Sequence, residues 1–408
     1  MIDKQKLLYN LFQAYYEARK NKRNTLNQLD FEFNLEENII KLYDELISGN
    51  YKVGKSIYFI QTHPVKREIF AGNFRDRIVH HLIYDYISPI FEKDFIYDSY
   101  SCRKGKGTSF GVKRVNRFIR SCSDNYTENC YILKLDISGY FMSIDKDILF
   151  EKIDNILSNK KDLLKTEYNF IINLIKEIIY NDPTKNSIFK GKRSDYIGLP
   201  KNKSLFFAKQ NSGLPIGNLT SQLFSNIYLS DFDKYVKEEL KIKYYGRYVD
   251  DFVIIHKDKN YLKEVINEIN KYLKDNLLLN LHPKKIYLQD YTKGVLFLGV
   301  FIKPYRTYIR KRSIGYFYKK IEVLNKRLDN NDLKIDIKLR QDFLSIINSY
   351  LGFLKHHKSY KKRKHLLLTQ VNASFWNYFF IANNYTLVKK RNNNYLNKIY
   401  NFLDFSKK

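Results

Sequence analysis

Two adjacent carboxylates, Asp250 and Asp251, sit at the centre of the run YYGRYVDDFVIIH (244–256), which is otherwise mostly aromatic and β-branched. Adjacent side chains of a regular strand point to opposite faces. Both acids therefore serve one site only where the chain turns sharply between two short strands, and the flanking residues predict such a hairpin with the pair at its tip. Two close carboxylates repel, and one takes up a proton unless a cation lies between them. Mg2+ suits this setting, because it binds through one or two carboxylates plus waters and substrate phosphates. A third acid, Asp136, ends the apolar segment YILKLDI (131–137), which reads as a strand. Three acids at the ends of neighbouring strands can clamp two metal ions about 3.5–4 Å apart for in-line displacement at phosphorus. Asp145 is spaced instead as the N-cap of a helix starting at Lys146.

The elements that must hold these acids follow from hydrophobic periodicity. Residues 4–20 read as a helix, and 35–48 as a clearer one, with Leu35, Ile39, Leu42, Tyr43, Leu46 and Ile47 on one face. Asn34 and Glu37 are spaced as a capping box, and Gly49 stands at the C-terminal stop. Two apolar runs around Pro64 predict a hairpin over 56–71. Helices are expected at 76–93, over most of 147–181, at 218–240 and around Leu262–Leu273, with a polar, irregular segment at 182–211. Short strands are expected near Lys285–Leu288 and Val295–Ile302, and the pattern beyond about residue 312 is mainly helical. Strands interleaved with helices, then a helical end, indicate an α+β protein.

The 408 residues suffice for a large core and two or three subdomains. Lys and Arg number 72 against 43 Asp and Glu, a net charge of +29, and the bases are interleaved with 35 Tyr and 29 Phe along the whole chain. Such an excess repels itself unless a polyanion binds, which makes nucleic acid the leading partner and a membrane surface a weaker one. No uncharged apolar run spans a bilayer. Three cysteines, Cys102, Cys122 and Cys130, fit neither a zinc site nor a disulfide framework. The expected location is the cytoplasm.

Several blocks in order carry a resemblance. YVDD with Asp136 upstream resembles the palm of reverse transcriptases; PVKREIFAGNFRDRIVHHLI resembles their fingers block and FIYDSYSCRKGKGT the template-handling block that follows. LKLDISGYFMSID is similar to the first palm motif and GLPIGNLTSQLFSNIYL to the Gly-rich turn and helix; LHPKKIYL and GVLFLGVFIKP resemble the later palm block and primer grip. The likeness covers roughly residues 30–375. LPIGNLTSQ, RTYIRKRS and NSYLGFLKHHKSYKKRK look like the reverse transcriptases of diversity-generating retroelements, and related antiphage reverse transcriptases share much of the pattern. The resemblance implies a right-hand polymerase with an antiparallel-sheet palm, fingers and a helical thumb. Its spans would be an N-terminal helical extension (1–55), fingers (56–130), palm (131–304, with finger helices inserted at about 147–212) and a basic thumb and C-terminal region (305–408).

The implied activity is RNA-directed DNA synthesis, for gene diversification or phage defence; a degenerate RNA-binding scaffold is the alternative. The implied catalytic acids are Asp136, Asp250 and Asp251. The metal set adds Ile137 and takes two Mg2+, with Mn2+ as a substitute. Phe141 would be the ring beneath the incoming sugar. Arg67 and Lys66 would reach the triphosphate, unless Lys66 is only solvated. Arg75, Arg77 and Arg103 would contact template or nucleotide, with Asp76 as a competing partner for one of them. Gly213 and Gly217 would let backbone approach the base pair; Ser221 and Gln222 would lie near the templating pair. Lys285 would protonate pyrophosphate or stay on the surface. Lys355, Lys358, Lys361, Lys362 and Arg363 would track a nucleic-acid backbone on the thumb. Implied partners are an RNA template, such as a cognate noncoding RNA, a DNA or RNA primer, dNTPs, and an accessory protein, second polymerase or second copy. Ile216 and Gln222 stand where many relatives carry Gln and Pro, which loosens contact with the nascent pair. Misincorporation about one to two decades above that of an Ile216→Gln variant is expected for at least one template base, at about 1.4 kcal/mol per tenfold. Single-nucleotide incorporation on all four template bases measures it, and equal discrimination clears Ile216.

Overall fold

The computed structural model describes residues 3–20, 25–62, 65–330 and 335–391. The Pro64 turn and the C-terminal residues 392–408 of the expected helical region lie outside them. The chain forms two compact units, Met1–Gln289 and Asp290–Lys408. The division falls inside the span expected for the palm.

In the first unit, β1 (Ser56–Gln61) and β2 (Arg67–Ala71) form the expected antiparallel hairpin, with Ile57 opposite Ala71 and Gln61 opposite Arg67. The strand β3 (Tyr131–Asp136) follows. Then β4 (Ser187–Phe189), inside the segment expected to be irregular, joins β1 in parallel. Three residues were too short a run to read from periodicity. The hairpin β5 (Tyr244–Tyr248) and β6 (Asp251–His256), with β7 (Tyr287–Asp290), completes a four-stranded sheet in the order β5-β6-β3-β7. Its core is apolar: Ile132, Leu133 and Leu135 of β3 and Phe252, Val253, Ile254 and Ile255 of β6 are buried. Against it pack the helices Phe74–Asp94, Leu219–Tyr228 and Lys259–Leu277; the last buries Leu262, Val265, Ile269, Leu273 and Leu277 at helical spacing, whereas Leu219–Tyr228 is buried on nearly every side.

The helix Leu35–Ile47 buries Ile39, Leu42 and Leu46 as expected, and Gly49 takes the left-handed conformation past its end (φ 72°). The capping box is absent. Residues Leu26–Phe33 are already helical, so Asn34 is a break between two helices and its side chain makes no capping bond. Asp145 does cap its helix, accepting from the amides of Asp147 and Ile148, each at 3.0 Å.

In the second unit, β8 (Val295–Phe297), β9 (Val300–Lys303) and β10 (Arg306–Ile309) form an antiparallel sheet. Helices Lys311–Asp329, Ile337–Leu354 and Tyr360–His365 follow around a separate core that includes Phe317, Phe343 and Phe375. The expected helical end instead turns into a hairpin of β11 (Phe379–Ala382) and β12 (Leu387–Lys390). Asn383, Asn384 and Tyr385 are left-handed there, a conformation Asn tolerates and a helix does not. Among the described residues no helix is long and apolar enough to cross a membrane.

Gly217 lies against β2. Its φ is 136°, and a Cβ there would overlap the Phe70 carbonyl oxygen of β2. The close approach that this glycine permits is thus to β2. Gly217→Ala should lower stability by about 1–3 kcal/mol, the cost of one strained backbone position; the midpoint of a urea titration checks it.

Candidate active site

The register of the four-stranded sheet assembles the acids. Asp136, last in β3, lies directly opposite Asp251, first in β6. Tyr248 pairs with Asp251, so Val249 and Asp250 form the two-residue turn of the β5–β6 hairpin. The Ile137 amide donates to the Asp250 carbonyl at 3.2 Å, and the His282 amide to the Asp136 carbonyl at 2.8 Å. Both backbone bonds tie the three acids to the same end of the sheet. Ile137 itself is buried. Val249 is left-handed (φ 57°), a costly state for a β-branched residue, about 1–2 kcal/mol.

The acids are crowded electrostatically. Burial, and then the Asp136 charge, push the Asp250 carboxyl above its ordinary range, against the pull of Lys285 and Arg67. Burial pushes Asp251 up to about 7; Lys134 opposes this, while Asp250 and Asp136 add to it. Lys134 Nζ forms an ion pair with Asp251 Oδ1 at 3.1 Å, and that buried oxygen has no partner besides this ammonium. Lys285 Nζ donates to Asp136 Oδ1 at 2.7 Å. Among the described residues no group of three or more His, Cys, Asp or Glu is drawn together as a metal cage. Instead two ammonium groups sit on the acids. An acid cluster that already holds two cationic groups fits a divalent ion. Lys134 was missed in the sequence, although it lies two residues before Asp136 and so on the same face of β3.

The other expected site residues divide. Arg67 is exposed, and its charge is felt at Asp250. Lys66 donates to the Ile197 carbonyl at 2.7 Å. Phe141 is half-buried and packs against the cluster of Phe70, Met142 and Leu205, as does Ile216. The Ile216 carbonyl accepts from the Phe70 amide at 2.8 Å, and Gln222 is exposed. Three arginines are engaged within the protein. Arg75 pairs with Glu45 and Asp76 and stacks 4.7 Å over Tyr51. Arg103 pairs with Glu92 at 2.7 Å and donates to the carbonyls of Ile96 and Ser99. Arg77 donates to the Gly72 carbonyl at 2.9 Å. In the second unit Lys355, Lys358, Lys361 and Lys362 are exposed. Arg363 is a correction: it is 6% exposed and donates to Ser359 Oγ at 2.9 Å and to the Leu354 carbonyl, so it caps a turn rather than facing a polyanion.

Acids at a strand-end hairpin, beside a fingers hairpin and a Gly-rich turn, define a template-directed polymerase palm. The profile of the family "Reverse transcriptase (RNA-dependent DNA polymerase)" matches residues 66–302, more than half of the chain, and the chain belongs to that family. It is an RNA-directed DNA polymerase by family, with an α+β fold. Protein YkfC of Escherichia coli (strain K12) is 26% identical over 306 residues, covering 67% of this chain and 71% of that protein. The putative COX1/OXI3 intron 2 protein of Saccharomyces cerevisiae is 21% identical over 302 residues, covering 59% of this chain but only 32% of its own length. Among solved structures, telomerase from Candida albicans in complex with a TWJ fragment of telomeric RNA has 13% identity and a TM-score of 0.44, covering 80% of this chain and 63% of that one. Apo telomerase from Candida tropicalis has 14% identity and a TM-score of 0.43, covering 80% and 65%.

A carboxyl raised from 3.8 to about 7 keeps its proton on folding. Its stabilising contribution is complete below the unfolded value and is lost as pH rises through the folded one, by at most about 1.4 kcal/mol per pH unit. In metal-free buffer, the stability of wild type should therefore fall relative to Asp251→Asn between about pH 4 and 7. Denaturation midpoints of the two proteins across that window measure it, and a constant difference would show Asp251 already ionised.

Proposed function

We propose that this chain copies an RNA template into DNA at Asp136, Asp250 and Asp251, acting with two divalent ions, Mg2+ by preference. The observation that carries the reading is the β3–β6 register, which sets Asp136 opposite Asp251 with Asp250 on the adjoining turn. Bound metal would lower the barrier to attack by the primer hydroxyl and neutralise the departing pyrophosphate. The acids hold it, and Lys134 and Lys285 must release them as it binds. Arg67 offers its planar fork to the triphosphate. Lys285, freed from Asp136, is placed to give a proton to pyrophosphate. Phe141, anchored against Phe70 and Leu205, closes the space a 2′ hydroxyl would need. Ile216 offers the nascent pair only apolar contact, which favours errors.

The biological setting we infer is gene diversification or phage defence in the cytoplasm, with a cognate noncoding RNA as template and a DNA or RNA primer. A template repeat and a variable-repeat target beside the gene would indicate diversification; a noncoding RNA or second polymerase would indicate defence.

Asp250→Asn should reduce primer extension by at least about a thousandfold while leaving RNA binding within about threefold, because it removes a metal ligand and no RNA contact. Primer extension and filter binding on one preparation decide it, and an active Asn variant sinks the assignment. Neutralising Lys355, Lys358, Lys361 and Lys362 together should flatten the log–log salt dependence of duplex binding by about 0.7–0.9 per lost phosphate contact. A wild-type slope would make that run a solvated face.

A further inference from the structure

Val249 is in the wrong conformation for its residue type. A two-residue hairpin turn whose first central residue has positive φ normally carries Gly there. Here a β-branched valine takes φ 57°, and Asp250 follows it. Strain of this kind persists only where the surroundings over-determine it.

The surroundings that do so converge on Arg247, two residues upstream in β5. Its side chain is fully buried, and its Nη1 donates to the Val249 carbonyl at 3.0 Å. The rest of the guanidinium is gripped from behind. Nε donates to Asp233 Oδ1 at 2.7 Å and Nη2 to Asp233 Oδ2 at 2.6 Å, a bidentate pair with neither side chain exposed. Tyr245 Oη donates to the same Asp233 at 2.6 Å. Nη1 also reaches Asn226 Oδ1 and Nη2 reaches Ser99 Oγ, both at 3.4 Å. The Arg247 backbone is fixed as well, its amide donating to the Asp98 carbonyl and its carbonyl accepting from the Tyr100 amide, each at 2.9 Å. A planar fork can face Asp233 with one edge and the turn with the other; an ammonium on a flexible stem cannot.

We propose that Arg247 is a positioning residue for nucleotide addition: with Asp233 behind it, it clamps the Val249 carbonyl, holds that residue left-handed, and so fixes where the Asp250 carboxylate points before metal and nucleotide arrive. It touches neither substrate nor metal. The proposal rests on the polymerase reading above only for its kinetic test.

The test is a double-mutant cycle on Arg247→Lys and Val249→Gly. Glycine adopts positive φ freely, so it removes the strain that the clamp opposes, whereas a purely structural role for Arg247 is indifferent to it. Arg247→Lys should lower kcat for single-nucleotide extension about 30- to 100-fold, with the dNTP KM within about threefold. In the Val249→Gly background the same change should cost less than about fivefold. Non-additivity of that size marks residues coupled through one backbone element. Equal costs in the two backgrounds, or a loss carried by KM, overturns the proposal. If Arg247→Lys fails to fold, Tyr245→Phe loosens the same grip more gently; it should lower kcat about threefold in wild type and not in the Val249→Gly background, and an unchanged kcat overturns the clamp.

Hydrogen exchange over residues 248–251 is read on the same folded proteins and needs no activity. Loosening the grip should speed it about tenfold while the rest of β5 and β6 stays within twofold, and unchanged exchange overturns the clamp. A wild-type protein that extends no primer would instead sink the polymerase reading, with the exchange result still deciding the clamp.

Discussion

Three carboxylates held at one end of an apolar sheet repel one another before any cation arrives, and the surrounding palm is organised around containing that repulsion. Its first means is register. Between Tyr131 and Asp136, β3 runs opposite His256 to Asp251 without a bulge. A slip of one residue would turn its buried side chains to the wrong face and carry Asp136 away from Asp251. Because Ile132, Leu133 and Leu135 are buried against β6 and its neighbours, hydrophobic burial enforces the alignment that the acids alone would oppose. Its second means is charge. Lys134 and Lys285 face the acids, and the carboxyls of Asp250 and Asp251 hold their protons to higher pH than usual. A site built this way releases ammonium groups and protons when a divalent ion binds, so it changes little in net charge as it fills.

The same physics sorts the basic residues. A net charge of +29 suggests one broad anionic partner, yet the guanidiniums of Arg75, Arg103, Arg247 and Arg363 are engaged by carboxylates, carbonyls or hydroxyls within the fold. Arginine is suited to this, since its fork satisfies several buried acceptors at once and it is more weakly hydrated than an ammonium. Exposed positions such as Lys355, Lys358, Lys361 and Lys362 carry lysine, whose compact charge serves a phosphate without fixed geometry. The chain thus divides its positive charge between internal scaffolding and outward attraction.

Much of this was legible in the chain itself. Short apolar, aromatic and β-branched runs marked β3 and the β5–β6 hairpin, and helical spacing marked several of the helices, because both signals are local properties of sequence. That Asp136, Asp250 and Asp251 lie at the ends of neighbouring strands was legible too; that Asp136 stands opposite Asp251 is a register only the fold set. Short or conflicting signals failed: β4 is only three residues, Asn34 looked like a cap but breaks two helices, and β11 and β12 were hidden in an apparently helical tail.

What the sequence determined by itself is therefore the inventory of acids, the strands that carry them and the excess of positive charge. Tertiary structure decided which charges are spent inside. Arg103 and Arg363 carry no mark in the sequence that separates them from Arg67, whereas Asp76 beside Arg75 was one; Lys285 has none that brings it to Asp136. The reason is that an ionisable side chain's partner is chosen by desolvation and by acceptors as many as 149 positions or only a few away, and neither is a periodic property of the chain. Gly217 shows the same limit. That it permits a close backbone approach was readable, but the strand it lies against, β2, became known only when the chain had folded.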